Sequence, residues 1–186
     1  MFNIIKGKML RRSGILFLVF VVLVFSCKNA SVQKDARTAS DVSGKSDNSV
    51  FLKIEDAALV QDETHPDSNT AEWSFKVDQP GRYEVWLSSI TRDTMNMGFD
   101  SVVIITAGDS RIQKMPVGDN IIADAADIQA PWFRADSEMG SVFFSKPGEY
   151  AIQIISEKVK TPPSDLSIVI KDKTLIKSLI LKPVVY

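Results

Sequence analysis

A single cysteine, Cys27, and a single histidine, His65, stand in a chain of 186 residues. One thiol excludes an intramolecular disulfide framework and a cysteine-based zinc site. One imidazole excludes a histidine-rich metal centre, and no metal or other cofactor is expected. Basic charge in excess is also absent: 22 Lys and Arg face 23 Asp and Glu. Nucleic-acid binding draws on a basic face that neutralises phosphates, so nucleic acid is not an expected partner. No apolar run exceeds eleven residues. At 1.5 Å per residue such a run spans only about 16 Å of helix, against ~30 Å for a hydrocarbon core. A stable transmembrane helix is therefore not expected. The chain is 45% hydrophobic and 24% charged, the composition of a globular protein with one principal domain.

The eleven-residue run, 15–25, follows Lys6, Lys8, Arg11 and Arg12, with no acid before it. Basic residues followed by a short apolar core read as an export signal over residues 1–26. The run ends at Val24-Phe25-Ser26-Cys27. That tetrad resembles a bacterial lipobox, with an aliphatic residue at −3, a small one at −1 and cysteine at +1. Phe25 departs from the small or aliphatic residue usual at −2. The resemblance implies cleavage before Cys27 and lipid attachment to its thiol, each buried CH₂ adding ~0.8 kcal/mol of membrane affinity. Cleavage removes four basic residues and no acid, taking the net charge from −1 to −5. Lys28 stands where lipoprotein sorting rules would place an inner-membrane retention Asp. By that resemblance the address is the outer membrane of a bacterial envelope, facing the periplasm or the outside. Residues 27–49 then form the lipidated cysteine and a tether. The tether is rich in Ser, Ala, Lys and Asp and has no aromatic residue. It cannot bury enough surface to offset its chain entropy, so disorder is expected there.

Residues 50–186 alternate apolar and polar with period two, the pattern of half-buried strands. The expected strands are 51–56, 71–77, 82–90, 101–106, 110–115, 140–145, 149–157, 166–171 and 174–182. Only 121–130 supports a helical turn. Many short strands with Pro-Gly turns point to an all-β fold, an antiparallel β-sandwich. An internal echo supports this: Pro80-Gly81-Arg82-Tyr83 and Pro147-Gly148-Glu149-Tyr150 each lead into an alternating strand. Pro then Gly describes a type II turn, and two copies imply two equivalent hairpins.

The order of these signals resembles the galactose-binding-like jelly roll, and within it carbohydrate-binding modules of the family 6 and 35 type. The matching segments are Lys53-Ile54-Glu55-Asp56-Ala57, Glu72–Val77, Gly81–Leu87, Gly140–Ile155 and Leu179–Pro183. The resemblance covers about residues 51–183 and implies a non-catalytic domain that binds a glycan or polysaccharide. Many such modules hold a structural calcium with carboxylates from the opening and closing strands. Here Lys53 and Ser178 stand at two of those positions, and only Glu55 remains. Calcium takes about six to eight oxygen ligands, so that site is not expected.

Sugar recognition combines an aromatic face with polar side chains. Pro131-Trp132-Phe133-Arg134, flanked by Asp127 and Asp136, offers both as a loop, and the resemblance puts Trp132 near the family's stacking tryptophan. Trp132 either stacks on ligand or caps the core. Loop 92–99 follows the Tyr83 strand and supplies Arg92, Asp93 and Asn96 as further candidates, or is a plain solvated loop. Trp132, Arg134, Asn96 and Arg92 are thus the expected ligand-binding residues. Trp73 and Tyr83 read as core. Trp86 points to the opposite face from Tyr83, either covered by the chain termini or exposed as a platform. The acidic residues Asp119, Asp124 and Asp127 lack the spacing of an EF-hand. No Ser-His-Asp order or nucleophile elbow is present, and His65 reads as a turn residue. The expectation is a binding lipoprotein rather than an enzyme. The alternative is a structural lipoprotein contacting an envelope protein through loops 92–99 and 117–137.

Overall fold

A computed structural model describes residues 48–128, 130–161 and 172–185. The signal segment, Cys27, the tether up to residue 47 and the strand expected at 166–171 lie outside the described residues.

Among the described residues, two five-stranded sheets form the fold. The front sheet runs β1 (Val50–Lys53), β10 (Thr174–Pro183), β4 (Gly81–Thr91), β8 (Phe133–Phe144), β7 (Asn120–Ile122). The back sheet runs β2 (Ala58–Val60), β3 (Thr70–Val77), β9 (Gly148–Ile155), β5 (Val103–Ala107), β6 (Ser110–Lys114). Every pairing is antiparallel. The fold class is therefore the antiparallel β-sandwich that the alternation implied.

Period two builds the core. Along β3, Ala71, Trp73, Phe75 and Val77 point inward while Glu72, Ser74 and Lys76 face solvent. Tyr83, Val85 and Leu87 meet them from β4, and Leu179 and Leu181 from β10. Trp73 is buried with its indole N–H donating to the Lys53 carbonyl at 2.7 Å. Burying a polar ring atom is tolerable only with such a partner.

The two Pro-Gly-x-Tyr motifs do not make hairpins. β3 and β4 belong to different sheets, as do β8 and β9, so each motif is an arch crossing the sandwich. The local turn signal is the same for a hairpin and an arch; only the inward side chains before and after it decide. In both arches the tyrosine hydroxyl donates to the carbonyl four residues upstream, Tyr83 to Gln79 at 2.7 Å and Tyr150 to Lys146 at 2.8 Å. Gly81 and Gly148 have φ of +150° and +155°. Those values are far wider than a type II turn and belong to glycine alone. Phe144 lies between the two corners, its ring centroid 5.4 Å from Tyr83 and 4.6 Å from Tyr150. Both arches thus close the same end, here called the corner end. β4 and β9 end, and β8 and β10 begin, at the opposite, loop end.

Three further expectations need correction. The described residues of 121–130 hold no helix: Ile121 and Ile122 belong to β7, and a turn follows. β2 is an additional three-residue edge strand. β8 begins at Phe133 rather than 140, so Phe133 and Arg134 lie on a strand and not in a loop. Lys53 and Ser178, the two positions that resemble calcium ligands in the family, sit opposite each other in the β1–β10 register.

Candidate functional site

The central β4–β8 ladder of the front sheet aligns its outward side chains in a stripe. From the corner end its rungs are Arg82–Phe143, Glu84–Ser141, Trp86–Glu138, Ser88–Asp136 and Ile90–Arg134. Because Thr91 pairs with Phe133, the next rung sets Arg92 opposite Trp132. At 3.4 Å per residue the stripe runs about 34 Å from Arg82 to Arg92.

The corner half holds a shallow concavity of about 280 Å³ lined by Arg82, Glu84, Glu138, Gly140, Ser141 and Val184. Two aromatic side chains stand beside it on the same face. Phe143 is 63% exposed, and Trp86 is half-buried. Trp86 is held in place: its indole N–H donates to Glu84 Oε2 at 3.2 Å, and the Lys182 ammonium lies 4.2 Å from its ring centroid. A cation over an exposed indole contributes about 0.5–1 kcal/mol. Glu138 accepts from Lys114 Nζ at 2.9 Å. The sequence left Trp86 between covered and exposed; the structure makes it an outward residue covered on one face by Lys182. Phe143 was missed, although its place between inward Val142 and Phe144 carried the signal.

The loop half holds the residues expected from sequence. Trp132 is only 2% exposed, so it is not an open stacking platform. The segment before β8 folds back across the front sheet, and Trp132 packs there with Ile90, Ile128 and Leu175 in a small cluster apart from the main core. The Lys177–Asp127 ion pair, at 2.6 Å, ties that segment down to β10. Burial alone would raise the Asp127 pKa, but the hydrogen bond and charge of Lys177 outweigh it and hold the carboxyl below its ordinary value. Trp132 Nε1 is buried and has no acceptor among the described residues. An unmet buried donor of this kind costs about 1–3 kcal/mol.

Arg92 lies over Trp132, its guanidinium carbon 4.4 Å from the ring centroid. Its backbone is fixed on both sides. Arg92 N–H donates to the Lys173 carbonyl at 3.0 Å. The neighbouring Thr91 hydroxyl accepts from Thr174 Oγ1 at 2.8 Å and donates to the Asp93 carbonyl at 3.0 Å. At the far end of the same loop Glu157 accepts from Asp100 N–H and Ser101 Oγ, at 2.8 and 2.9 Å. Arg134 makes a two-pronged bond to Asp136, both contacts at 2.9 Å. That bond raises its pKa further and engages its guanidinium fork. Asn96 is exposed at the loop tip, and its side-chain oxygen accepts from Gly98 N–H at 2.8 Å. It serves the turn; the residue beside Trp132 is Arg92. The structure therefore brings together Arg92 and Trp132, and leaves Arg134 with Asp136 and Asn96 in its own loop. Among the described residues no three His, Cys, Asp or Glu side chains group in a way that holds a metal ion.

No family model matches the sequence, and no curated protein does. Solved structures do match. An α-L-fucosidase from Vibrio sp. strain EJY3 aligns with a TM-score of 0.57 at 21% identity over 75% of this chain. The chain spans 23% of the fucosidase's length, so the likeness concerns one domain's fold. The GH26-CBM35 β-(1,4)-mannanase of Podospora anserina aligns with a TM-score of 0.44 at 15% identity, over 75% of this chain and 28% of its own. The CBM36-1 domain of a multidomain xylanase from the hindgut metagenome of Trinervitermes trinervoides aligns over its whole length and 75% of this chain, with a TM-score of 0.40 at 10% identity. What the likeness to the fucosidase shows is the fold.

Proposed function

We propose that this is an exported, lipid-anchored protein whose β-sandwich binds a glycan, without cleaving it, along the β4–β8 stripe of the front sheet. One observation carries the reading: outward Trp86 and Phe143 stand beside a concavity lined by Arg82, Glu84, Glu138 and Ser141 on rigid strands. Aromatic faces for C–H groups and charged or hydroxyl side chains for sugar hydroxyls meet there on one surface. The carboxylates of the concavity are engaged, Glu84 by Trp86 and Glu138 by Lys114, which favours holding a ligand over acid–base work. The lipobox-like tetrad ending in Cys27 supports an anchor, and Lys28 an outer-membrane address.

The test is affinity electrophoresis against a panel of soluble polysaccharides. Trp86→Ala and Phe143→Ala are each expected to weaken binding about tenfold, the weight of an aromatic contact near 1.4 kcal/mol. No retardation by any polysaccharide, or full retardation of both variants, refutes the reading. Labelling cells with a fatty-acid analogue tests the anchor: label is expected on the wild type and not on Cys27→Ala.

A second reading, contact with an envelope protein, is favoured by a different observation. Met95, Val102, Met115 and Val117 are exposed near the loop end, Met95 at 93%. Co-purification of one envelope protein, lost on Met95→Asp, with no polysaccharide bound, supports that alternative.

A further inference from the structure

The loop end of the stripe holds a local excess of hydrogen-bond donors. Three cations towards the loop ends of β8 and β10 each have a carboxylate: Lys173 with Asp93 at 3.7 Å, Lys177 with Asp127 at 2.6 Å, Arg134 with Asp136 at 2.9 Å. Arg92 has none among the described residues; its side chain makes only the ring contact with Trp132. Beneath it the Trp132 indole N–H is buried and likewise without an acceptor. Guanidinium and indole are both donors and neither accepts. Two adjacent donors cannot satisfy one another, and buried polar groups in folded proteins are met by a partner in the great majority of cases. Arg92 is exposed to solvent; what the buried N–H lacks is an acceptor, and the cation over its ring favours one bearing negative charge.

We infer that Arg92 and Trp132 form a binding site for a small oxyanion, a carboxylate or a phosphate-type group. The guanidinium fork takes two oxygens of a planar anion side by side, the strongest geometry open to it. To reach the indole N–H as well, the anion draws Arg92 partly off the ring, so binding converts the stacked pair into a clamp. Fixed backbone supports this. The Arg92 amide is tied to β10 through the Lys173 carbonyl, and Trp132 is packed on Ile90, Ile128 and Leu175, so only the arginine side chain need move. The site is distinct from the Trp86 concavity, and neither reading depends on the other.

Indole N–H resonances of the full chain, solubilised in a neutral detergent, provide the test. Trp73 and Trp86 donate to Lys53 and Glu84; the Trp132 signal is assigned as the one absent from Trp132→Phe. Titration with acetate is expected to move that signal alone, saturably and towards the hydrogen-bonded position. Arg92→Gln, whose melting temperature is checked to be unchanged, is expected to weaken the response at least about tenfold, through loss of a charge-assisted bond. Inorganic phosphate and a pair of sugars, glucuronate and glucose, form the remaining arms. A response to phosphate above that to acetate assigns a phosphate-type ligand. A response to glucuronate above acetate, with none to glucose, assigns a carboxylate carried on a sugar. No movement of the Trp132 signal by any anion overturns the inference, as does an undiminished response in Arg92→Gln.

Discussion

Truncating Trp132 to alanine separates a buried cap from an open platform without knowledge of any ligand. The ring is 2% exposed and packs on Ile90, Ile128 and Leu175. A buried tryptophan removes about 150–250 Å² from water, worth roughly 4–6 kcal/mol at 25 cal/mol per Å². The unmet indole N–H offsets about 1–3 kcal/mol of that. The expected loss is therefore roughly 3 kcal/mol, at the lower end of measured Trp→Ala costs. For a domain of this size it lowers the melting temperature by about 6–12 °C. Circular-dichroism melts of Trp132→Ala measure this directly, and urea titration checks that the m-value is unchanged. Trp132→Phe keeps an aromatic ring and removes the donor without an acceptor, so it is expected to lose distinctly less. A Trp132→Ala variant within about 0.5 kcal/mol of the wild type, the range of an ordinary surface substitution, refutes the burial argument and restores the stacking platform.

Other perturbations probe other parts of the fold. Tyr83→Phe, which removes a buried hydroxyl's bond to the Gln79 carbonyl, is expected to cost about 1 kcal/mol by thermal melting; the equivalent Tyr150→Phe, at a more exposed corner, is expected to cost less. Trp86→Ala is expected to leave the melting temperature within a few degrees of the wild type, because its ring lies outward with Lys182 as cover; a large fall would place it in a packed layer. Asp127, held below its ordinary pKa by Lys177, gives up protons more readily folded than unfolded. Its pair therefore stabilises fully above the ordinary carboxylate value of about 4 and is lost as pH falls through the lowered folded value. Asp127→Asn is expected to melt slightly below the wild type at neutral pH, by a margin that closes in acid; the half-exposed pair makes that margin small. An unchanged margin at low pH counts against the ion pair.

The strands were legible wherever one face is buried, because alternation such as Ala71-Glu72-Trp73-Ser74-Phe75 leaves no other period. The start of β8 was not. Arg134 and Asp136 there read as loop polarity, yet on the strand they face each other's charge on the solvent side of the sheet. Trp132 likewise depended on something remote: the segment around Ile128 folds over the front sheet, and no local pattern announces that a second layer covers an outward residue. The meeting of Arg92 with Trp132 follows from the β4–β8 register, which is set by side chains along the whole ladder. The Pro-Gly-x-Tyr repeat announced two equivalent turns but not that they cross between sheets.

The entry of the chain through β1 has a mechanical consequence. Val50 pairs with Leu181 and Lys53 with Ser178, so β1 runs inward from the corner end, with Val50 nearest to it. A force applied at Val50, directed out of the corner end while the stripe is held, acts along β1. It shears the β1–β10 ladder, loading all of its bonds together instead of peeling them one by one. Behind that ladder Leu52 and Ile54 are seated in the core and must be withdrawn with it. Under the anchoring proposed above, the β1–β10 ladder therefore meets tension in shear.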